Sequence, residues 1–151
     1  MAISELTISV EQCKDSAVNR VDWDNLPFGR VFTDHMFLME YADGHWQDPK
    51  IMPFQDIPMH PAMSAIHYGQ SIFEGMKAYR QKDSLYLFRP EQNIQRLNNS
   101  AQRLVMPTVD PKFVLSALEH LVYIERDWIP QQQGYSLYIR PAMISTEVLL
   151  T

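Results

Sequence analysis

Two residues near the carboxyl end of the chain have side chains suited to binding a carboxylate. Tyr138 and Arg140 lie two positions apart in the run YSLYIRPAMI, residues 135–144. Alternate side chains of a β-strand point to the same face, so the phenol and the guanidinium would lie side by side. The paired N–H donors of arginine match the two oxygens of a carboxylate, and a tyrosine hydroxyl adds a hydrogen bond. The same spacing also suits an arginine in a surface ion pair on an edge strand, and both interpretations stay open.

A second arginine, Arg96, could bind an anion. It shares the polar face of the helix predicted over residues 90–105 with Asn93, Ser100 and Arg103. Paired N–H donors suit phosphate as well as carboxylate, whereas a polar helix face of this kind is usually only solvated. The sequence contains no GxGxxG or GxxxxGK[ST] loop, so it does not favour a nucleotide-binding fold. The anion site and the solvated face are both compatible with these residues.

Other kinds of functional site have little support in the sequence. The five histidines lack HxxxH and HExxH spacing, which argues against a metal site. Cys13 is the single cysteine, so it can form neither an internal disulfide nor a CxxC site. The 13 Lys and Arg residues against 18 Asp and Glu residues give a formal net charge of −5, which argues against nucleic acid as a partner. The sequence has no long apolar run and no signal-peptide pattern, so we expect a cytoplasmic protein without a membrane partner.

The first half of the chain reads mainly as strands. Its 151 residues, of which 46% are hydrophobic, are enough for one folded domain. The alternation in ELTISVEQ predicts a strand over residues 5–12. Two extended segments within residues 30–49 flank Asp43-Gly44, which predicts a hairpin turn. Four prolines predict an irregular loop over residues 49–63, and these are Pro49, Pro53, Pro58 and Pro61.

The second half mixes helices with strands. Helical spacing predicts a short helix from Ala62 to about Glu74-Gly75, where a glycine could cap it. A second hairpin is predicted within residues 76–89, turning at residues 81–84. Pro90 predicts the first turn of one helix, and Asp110 with Pro111 predicts the start of another. A final strand is predicted over residues 135–144. We therefore expect an α+β fold, a two-layer antiparallel sheet with helices packed on one face.

Five motifs follow one another in unbroken order from residue 28 to residue 147. They are FGRVFTDHMFLMEY (28–41), HPAMSAIHYG (60–69), HYGQSIFEGMKAYR (67–80), FRPEQNIQRLNNSAQRLVMP (88–107) and SLYIRPAMISTE (136–147). In these motifs the chain resembles the branched-chain amino acid aminotransferases, which are pyridoxal-phosphate enzymes of fold type IV. The D-amino acid aminotransferases and aminodeoxychorismate lyases are less similar. The resemblance implies a small N-terminal domain at residues 28–151, preceded by a strand and a connection at residues 1–27.

The resemblance assigns roles to the candidate residues. It implies that Arg96 binds the phosphate of pyridoxal 5'-phosphate. It implies that Phe28, Tyr68 and Phe73 give the side chains of leucine, isoleucine and valine an apolar wall. Tyr138 and Arg140 would belong to the same substrate site and bind the second carboxylate of glutamate. The implied reaction transfers the amino group of these amino acids to 2-oxoglutarate, giving branched 2-oxo acids and glutamate, in a homodimer.

One component of the reaction is not among these residues. In the family, the lysine that forms the Schiff base with pyridoxal lies downstream of the LYIRP segment, in a larger domain. Lys77, inside FEGMKAYR, corresponds to a lysine that the family does not use for this bond. We therefore expect the catalytic lysine and the larger C-terminal domain beyond Thr151, and an inactive isolated chain that binds the cofactor weakly or not at all. The alternative is a stand-alone, non-catalytic α+β domain that binds a partner or a small anion.

Overall fold

The computed structural model describes residues 6–148, and its mixture of strands and helices confirms the α+β class. The strands are β1 (Ser9–Val10), β2 (His35–Ala42), β3 (His45–Pro53), β4 (Ser71–Phe73), β5 (Met76–Gln81), β6 (Ser84–Leu87), β7 (Leu137–Ile139) and β8 (Ala142–Ile144). The α-helices are α1 (Ser64–Tyr68), α2 (Pro90–Arg103) and α3 (Pro111–Ile124). The described chain forms two compact units, a first with residues 6–55 and 116–129 and a second with residues 56–115 and 130–148.

The first unit is built on the predicted hairpin of β2 and β3. Asp43 and Gly44 form its turn with φ angles of 54° and 81°, the left-handed geometry that a two-residue hairpin turn requires. The strand predicted over residues 5–12 is reduced to β1, which pairs with β3 in parallel rather than antiparallel. Leu6 and Ile8 are half-buried and Thr7 is exposed, as the alternation predicts, whereas both residues of β1 are exposed. Residue 5 of the prediction lies outside the described residues.

The loop predicted over residues 49–63 is wrong at its start, because β3 continues to Pro53. The pairing of β2 with β3 shifts between Leu38 and Glu40, and Asp48 at this irregularity has a φ of 49°. A bulge leaves backbone groups outside the regular ladder, so a proline there loses no ladder hydrogen bond. Pro49 follows this bulge, and Pro53 is the last residue of the strand. Prolines in these two positions are therefore compatible with a strand.

The second unit corrects the helix predicted from Ala62 to Glu74-Gly75. Helix α1 ends at Gly69, whose φ of 64° is the left-handed conformation that terminates a helix. The chain then becomes extended, and Phe73 lies on strand β4, which pairs with β8. Helical spacing from Ala62 to Phe73 therefore spans two different elements. The glycine that ends the helix comes six residues earlier than the sequence analysis predicts.

The remaining local predictions for the second unit are confirmed, with one exception. Strands β5 and β6 form the predicted hairpin, and α2 begins at Pro90. The backbone N–H of Phe113 donates to Oδ1 of Asp110 at 2.8 Å, which is the predicted cap of α3. The strand predicted over residues 135–144 is broken, however, because β7 pairs with β5 and β8 pairs with β4. Pro141 follows the break and has no N–H to donate to a ladder.

Each unit has its own buried residues. The buried hydrophobic residues of the first unit are Ile51, Ala117, Leu118, Val122, Trp128 and Ile129. Those of the second include Ile72, Met76, Ala78, Ile94, Leu97 and Ala101. The apolar stripe of α2 therefore faces the interior of the second unit, which fixes the opposite face of that helix toward solvent. Among residues 6–148, no helix has both the length and the apolarity needed to cross a bilayer.

Candidate functional site

The break between β7 and β8 sets the position of Arg140 in the second unit. Arg140 Nη2 donates to Oη of Tyr138 at 3.2 Å, as expected for side chains two residues apart on an extended chain. The guanidinium carbon lies 4.7 Å from the ring centre of Phe73 and 5.3 Å from that of Tyr138. These are cation–π distances, so the cation contacts both aromatic rings. Three predicted site residues are thus in contact.

An open cavity of about 310 Å³ adjoins this cluster. Its wall is mainly apolar, and Arg140 is the charged residue among those that line it. It is lined by Met59, Met63, Ala65, Ile66, Ser71, Ile72, Phe73, Arg140, Ala142 and Ile144. A cation at the edge of an apolar surface can bind a molecule that has an apolar body and an anionic end.

Arg96 lies on the exposed side of α2, where it pairs with Glu74. Its Nε donates to Oε1 of Glu74 at 3.1 Å, and its Nη2 donates to Oε2 at 2.7 Å. The arginine side chain is 57% exposed and the glutamate side chain 12% exposed. Such a two-point pair fixes the plane of the guanidinium. Nη1 lies outside the pair, so the Nη1–Nη2 edge can still donate to an anion.

Asn93 lies on the polar face of α2, for which the sequence left a solvated face and an anion site open. It is buried rather than exposed, and its Nδ2 donates to the carbonyl oxygen of Gly75 at 2.9 Å and to Oε2 of Glu74 at 3.3 Å. Asn93 and Arg96 are three residues apart on the helix, so both reach the same segment of chain. The polar face of α2 is therefore partly a contact surface for residues 74–75.

Gly75 allows Tyr138 to pack closely against the backbone. A Cβ atom at position 75 would lie 2.5 Å from Oη, 3.1 Å from Cε2 and 3.2 Å from Cζ of Tyr138. Atoms do not approach a Cβ this closely, so any larger residue would displace the tyrosine ring. Register pairs Lys77 with Tyr138 on β5 and β7, which places the ring over this segment. The predicted role of Gly75 as a helix cap is therefore replaced by a packing role.

Two further predicted residues lie on other elements. Tyr68 is the last residue of α1 in the second unit and is 61% exposed, with its ring centre 6.3 Å from that of His67. Phe28 belongs to the first unit, where it is 81% exposed beside a turn with Gly29 in the left-handed region. The contacts thus join Phe73, Tyr138 and Arg140 directly. Arg96 is connected to them through Glu74, the neighbour of Phe73.

Comparison with curated proteins identifies relatives over most of the chain. No family model matches the chain. A branched-chain-amino-acid aminotransferase 2 of Bacillus subtilis is 54% identical over 131 residues, which are 85% of this chain and 36% of the relative. A mitochondrial branched-chain-amino-acid aminotransferase of Rattus norvegicus is 43% identical over 81% of this chain and 32% of the relative. The chain belongs to the branched-chain-amino-acid aminotransferase family. It corresponds to about the N-terminal third of these relatives.

Solved structures of branched-chain aminotransferases share this fold. A T.th. branched-chain amino acid aminotransferase complexed with N-(5'-phosphopyridoxyl)-L-glutamate aligns with a TM-score of 0.58 and 26% identity, over 79% of this chain and 36% of that one. The enzyme from Escherichia coli aligns with a TM-score of 0.52 and 26% identity, over 63% of this chain and 30% of that one. The α+β fold of this chain is thus that of part of a branched-chain aminotransferase.

Sequence reasoning missed three residues of this branched-chain aminotransferase segment. From the sequence, Glu74 and Gly75 are predicted only as a helix end, and Asn93 only as a member of the polar face of α2. In the structure these residues fix Arg96 and Tyr138. The one local signal is the spacing of Asn93 and Arg96 along α2, which places both on one face. It gives no information on what that face contacts, because Glu74 is 22 residues away.

The first unit contains a separate buried network around Glu125 and His35. Glu125 accepts from Nδ1 of His35 and, at 2.9 Å, from the backbone N–H of Asp34. Burial raises the pKa of Glu125, although the hydrogen bond from His35 opposes the shift. Burial alone would also raise the pKa of Asp34, but hydrogen bonds from Ala17, Ser16 and Trp128 outweigh it and hold that pKa below its ordinary value.

Proposed function

We propose that this chain supplies substrate and cofactor contacts in a branched-chain amino acid aminotransferase. The proposed reaction transfers the amino group of leucine, isoleucine or valine to 2-oxoglutarate, giving branched 2-oxo acids and glutamate. The observation that carries the proposal is the position of Arg140, in contact with two aromatic rings and among the residues that line an apolar cavity. One site in such an enzyme must accept both an apolar side chain and a carboxylate.

Arg140, Tyr138 and Phe73 would divide this recognition between them. The guanidinium of Arg140 would bind the second carboxylate of glutamate or 2-oxoglutarate, and the hydrogen bond to Tyr138 keeps the cation at the edge of the cavity. The ring of Phe73 would contact the side chain of a branched amino acid. With an apolar substrate, the rings of Phe73 and Tyr138 would still contact the guanidinium of Arg140. These cation–π contacts would reduce the cost of placing that charge next to an apolar side chain. Phe28 and Tyr68 stay predictions as members of this wall.

The donor set of Arg96 fits the phosphate of pyridoxal 5'-phosphate. A phosphate accepts paired N–H donors, and the Nη1–Nη2 edge of Arg96 offers such a pair outside its contact with Glu74. When bound, this cofactor supplies the electron sink for moving an amino group between carbon skeletons. Arg96 would hold the phosphate in place while other residues act on the amino group. The cofactor, the homodimer, the cytoplasmic location and the inactivity of the isolated chain stay predictions.

The experiment compares two amino donors in a full-length protein that carries this chain. The protein is purified with pyridoxal 5'-phosphate, and kcat/KM is measured for isoleucine and for glutamate. In the variant Arg140→Met, we expect kcat/KM for glutamate to fall about 5- to 150-fold more than kcat/KM for isoleucine, which is about 1–3 kcal/mol of transition-state binding. Methionine keeps an unbranched stem of similar size but has no charge, so the difference reports on carboxylate recognition.

The matched control is Arg103→Met, which removes an exposed arginine from the last turn of α2. We expect this variant to leave both kcat/KM values within about twofold of the parent. Equal losses for the two donors in Arg140→Met would show that Arg140 has only a structural role. A parent protein with no transamination activity would instead favour the alternative, a non-catalytic domain that binds a partner or a small anion.

A further inference from the structure

We propose that Glu74 is the positioning residue for Arg96, and that it presents the guanidinium to the cofactor phosphate. This inference rests on the proposed function, because it needs Arg96 to bind that phosphate. The guanidinium of arginine has two edges that can donate in pairs, one formed by Nε and Nη2 and one by Nη1 and Nη2. Glu74 takes the first edge at 3.1 and 2.7 Å. The second edge then has a fixed direction.

Glu74 is itself held firmly. Its side chain is only 12% exposed, and Oε2 accepts from Nδ2 of Asn93 as well as from Arg96. Its backbone N–H donates to the carbonyl oxygen of Pro141 at 2.9 Å, beside Arg140. An anchored carboxylate can orient a long, exposed side chain, whereas a mobile one cannot. Arg96 is 57% exposed, so without this anchor its guanidinium would sample many rotamers.

Residues 73–75 thereby position three predicted site residues together. The ring of Phe73 contacts Arg140, the carboxylate of Glu74 binds Arg96, and the missing side chain of Gly75 admits Tyr138. Asn93 ties this segment to α2 through the carbonyl of Gly75. A displacement of Glu74 would therefore disturb phosphate binding before it disturbs the apolar wall.

Two effects of opposite sign accompany the loss of the Glu74 carboxylate. Removing a negative charge next to Arg96 strengthens the attraction between Arg96 and a phosphate. Removing the two hydrogen bonds frees the guanidinium, so that ordering it on the phosphate becomes less favourable. The pair is partly exposed, where charge interactions are screened by water. The inference requires the loss of orientation to be the larger effect.

The experiment measures the dissociation constant of pyridoxal 5'-phosphate for the full-length protein by titration of the cofactor-free form. In Glu74→Ala we expect this constant to rise about 10-fold, and in Glu74→Gln, which keeps one acceptor, about 3-fold. We expect kcat at saturating cofactor to change less than about twofold, because Glu74 does not touch the reacting atoms. The control is Glu91→Ala, which removes an exposed glutamate from the first turn of α2 and should leave the constant unchanged.

A double-mutant cycle with Arg96 separates positioning from a general structural effect. In an Arg96→Ala background, a further Glu74→Ala change should alter the dissociation constant less than about twofold. A structural role for Glu74 would give the same loss in both backgrounds and would overturn the inference. Should Glu74→Ala fail to fold, Glu74→Gln, which is nearly isosteric, carries the same cycle.

The outcomes distinguish this inference from the proposed function. A constant that is unchanged or lower in Glu74→Gln would overturn the positioning role, and a lower value would show that Glu74 competes with the phosphate for Arg96. If Arg96→Ala weakens cofactor binding and the Glu74 variants do not, the inference fails alone. If Arg96→Ala itself leaves the constant unchanged, the assignment of Arg96 and the inference both fail.

Discussion

Each unit of the protein contains a carboxylate hydrogen-bonded to a nitrogen-bearing side chain, Glu125 with His35 in the first unit and Glu74 with Arg96 in the second, and the two pairs differ in which donors stay available to a ligand. In the first unit, the side chains of His35 and Glu125 are 4% and 3% exposed. In the second, those of Arg96 and Glu74 are 57% and 12% exposed. Both pairs connect segments that are far apart in the sequence, by 90 residues in one case and 22 in the other.

In the pair of the first unit, the hydrogen-bonding groups of both side chains have partners within the protein. The backbone N–H of Cys13 donates to Nε2 of His35 at 2.9 Å, so this nitrogen carries no proton and Nδ1 donates to Glu125. The second oxygen of Glu125 accepts from the N–H of Asp34. Every group of the pair is thus used inside the protein. In the pair of the second unit, the Nη1–Nη2 edge of Arg96 does not contact Glu74. We call the first pair saturated, because all its hydrogen-bonding groups have partners, and the second half-open. A buried saturated pair stabilises the fold, whereas a half-open pair can bind a ligand.

The largest predicted effect is on the free energy of unfolding. Replacing Glu125 by Ala leaves Nδ1–H of His35 and the backbone N–H of Asp34 without their acceptor, and we expect a loss of about 3–5 kcal/mol, at about 1–3 kcal/mol for each donor. Replacing Glu74 by Ala removes a partly exposed pair, and we expect a loss of about 1 kcal/mol or less. Urea denaturation of the cofactor-free protein measures both values, with Glu119→Ala on α3 as the control for an exposed glutamate. Similar losses for the two variants would remove the distinction between the pairs.

A second prediction concerns the packing that supports the half-open site. In Gly75→Ala the new methyl group would overlap Tyr138, whose Oη lies 2.5 Å from the position of the added Cβ. We expect a loss of about 1–3 kcal/mol in the free energy of unfolding, which is typical of overpacking. In a Tyr138→Phe background, without the nearest atom, the same change should be less damaging. An equal loss in both backgrounds would mean that Gly75 is needed for another reason.

Local features of both units could be predicted from the sequence. The turn at Asp43-Gly44 and the cap at Asp110 depend on backbone preferences of the residues themselves. The end of α1 could not be placed in this way, because Gly69 and Gly75 are equally able to end a helix and the choice depends on the pairing of β4 with β8. The break at Arg140 likewise follows from two different strand partners.

The partners of the candidate site residues could not be predicted either, because they lie on segments that are far apart in the sequence. Arg96 and Arg140 could be selected from their chemistry and from the resemblance to a family. Glu74 becomes relevant only when β4 ends beside α2, which no periodicity along the chain encodes. The network of His35 and Glu125 joins β2 to the residue that follows α3, so neither residue has a local signal for it. Side chains that act through long-range contacts are therefore the ones that sequence reasoning misses.

The smallest predicted effect is the pH dependence of stability that the saturated network produces. Asp34 accepts from the backbone N–H of Ala17 and from Nε1 of Trp128, both at 2.8 Å, and from the hydroxyl of Ser16. These bonds outweigh burial and lower the pKa of Asp34. A lowered pKa gives stability that is fully present above the ordinary aspartate value and is lost as the pH falls through the lowered one.

We therefore expect the difference in unfolding free energy between the parent protein and Asp34→Asn to be about 1 kcal/mol at pH 6 and to shrink as the pH falls below 3.8, the ordinary value for Asp34. Glu125 acts with the opposite sign, because its pKa is raised by burial and the corresponding stability is lost as the pH increases through that raised value. Glu125 is present in both proteins, so the difference reports on Asp34 together with the effect of the Asp34 charge on Glu125. Thermal or urea unfolding at several pH values between 2.5 and 6 measures it. A difference that stays constant across this range would show that the hydrogen bonds of Asp34 do not depend on its charge. The stability of the first unit would then come from packing around Trp128 rather than from the network of polar groups.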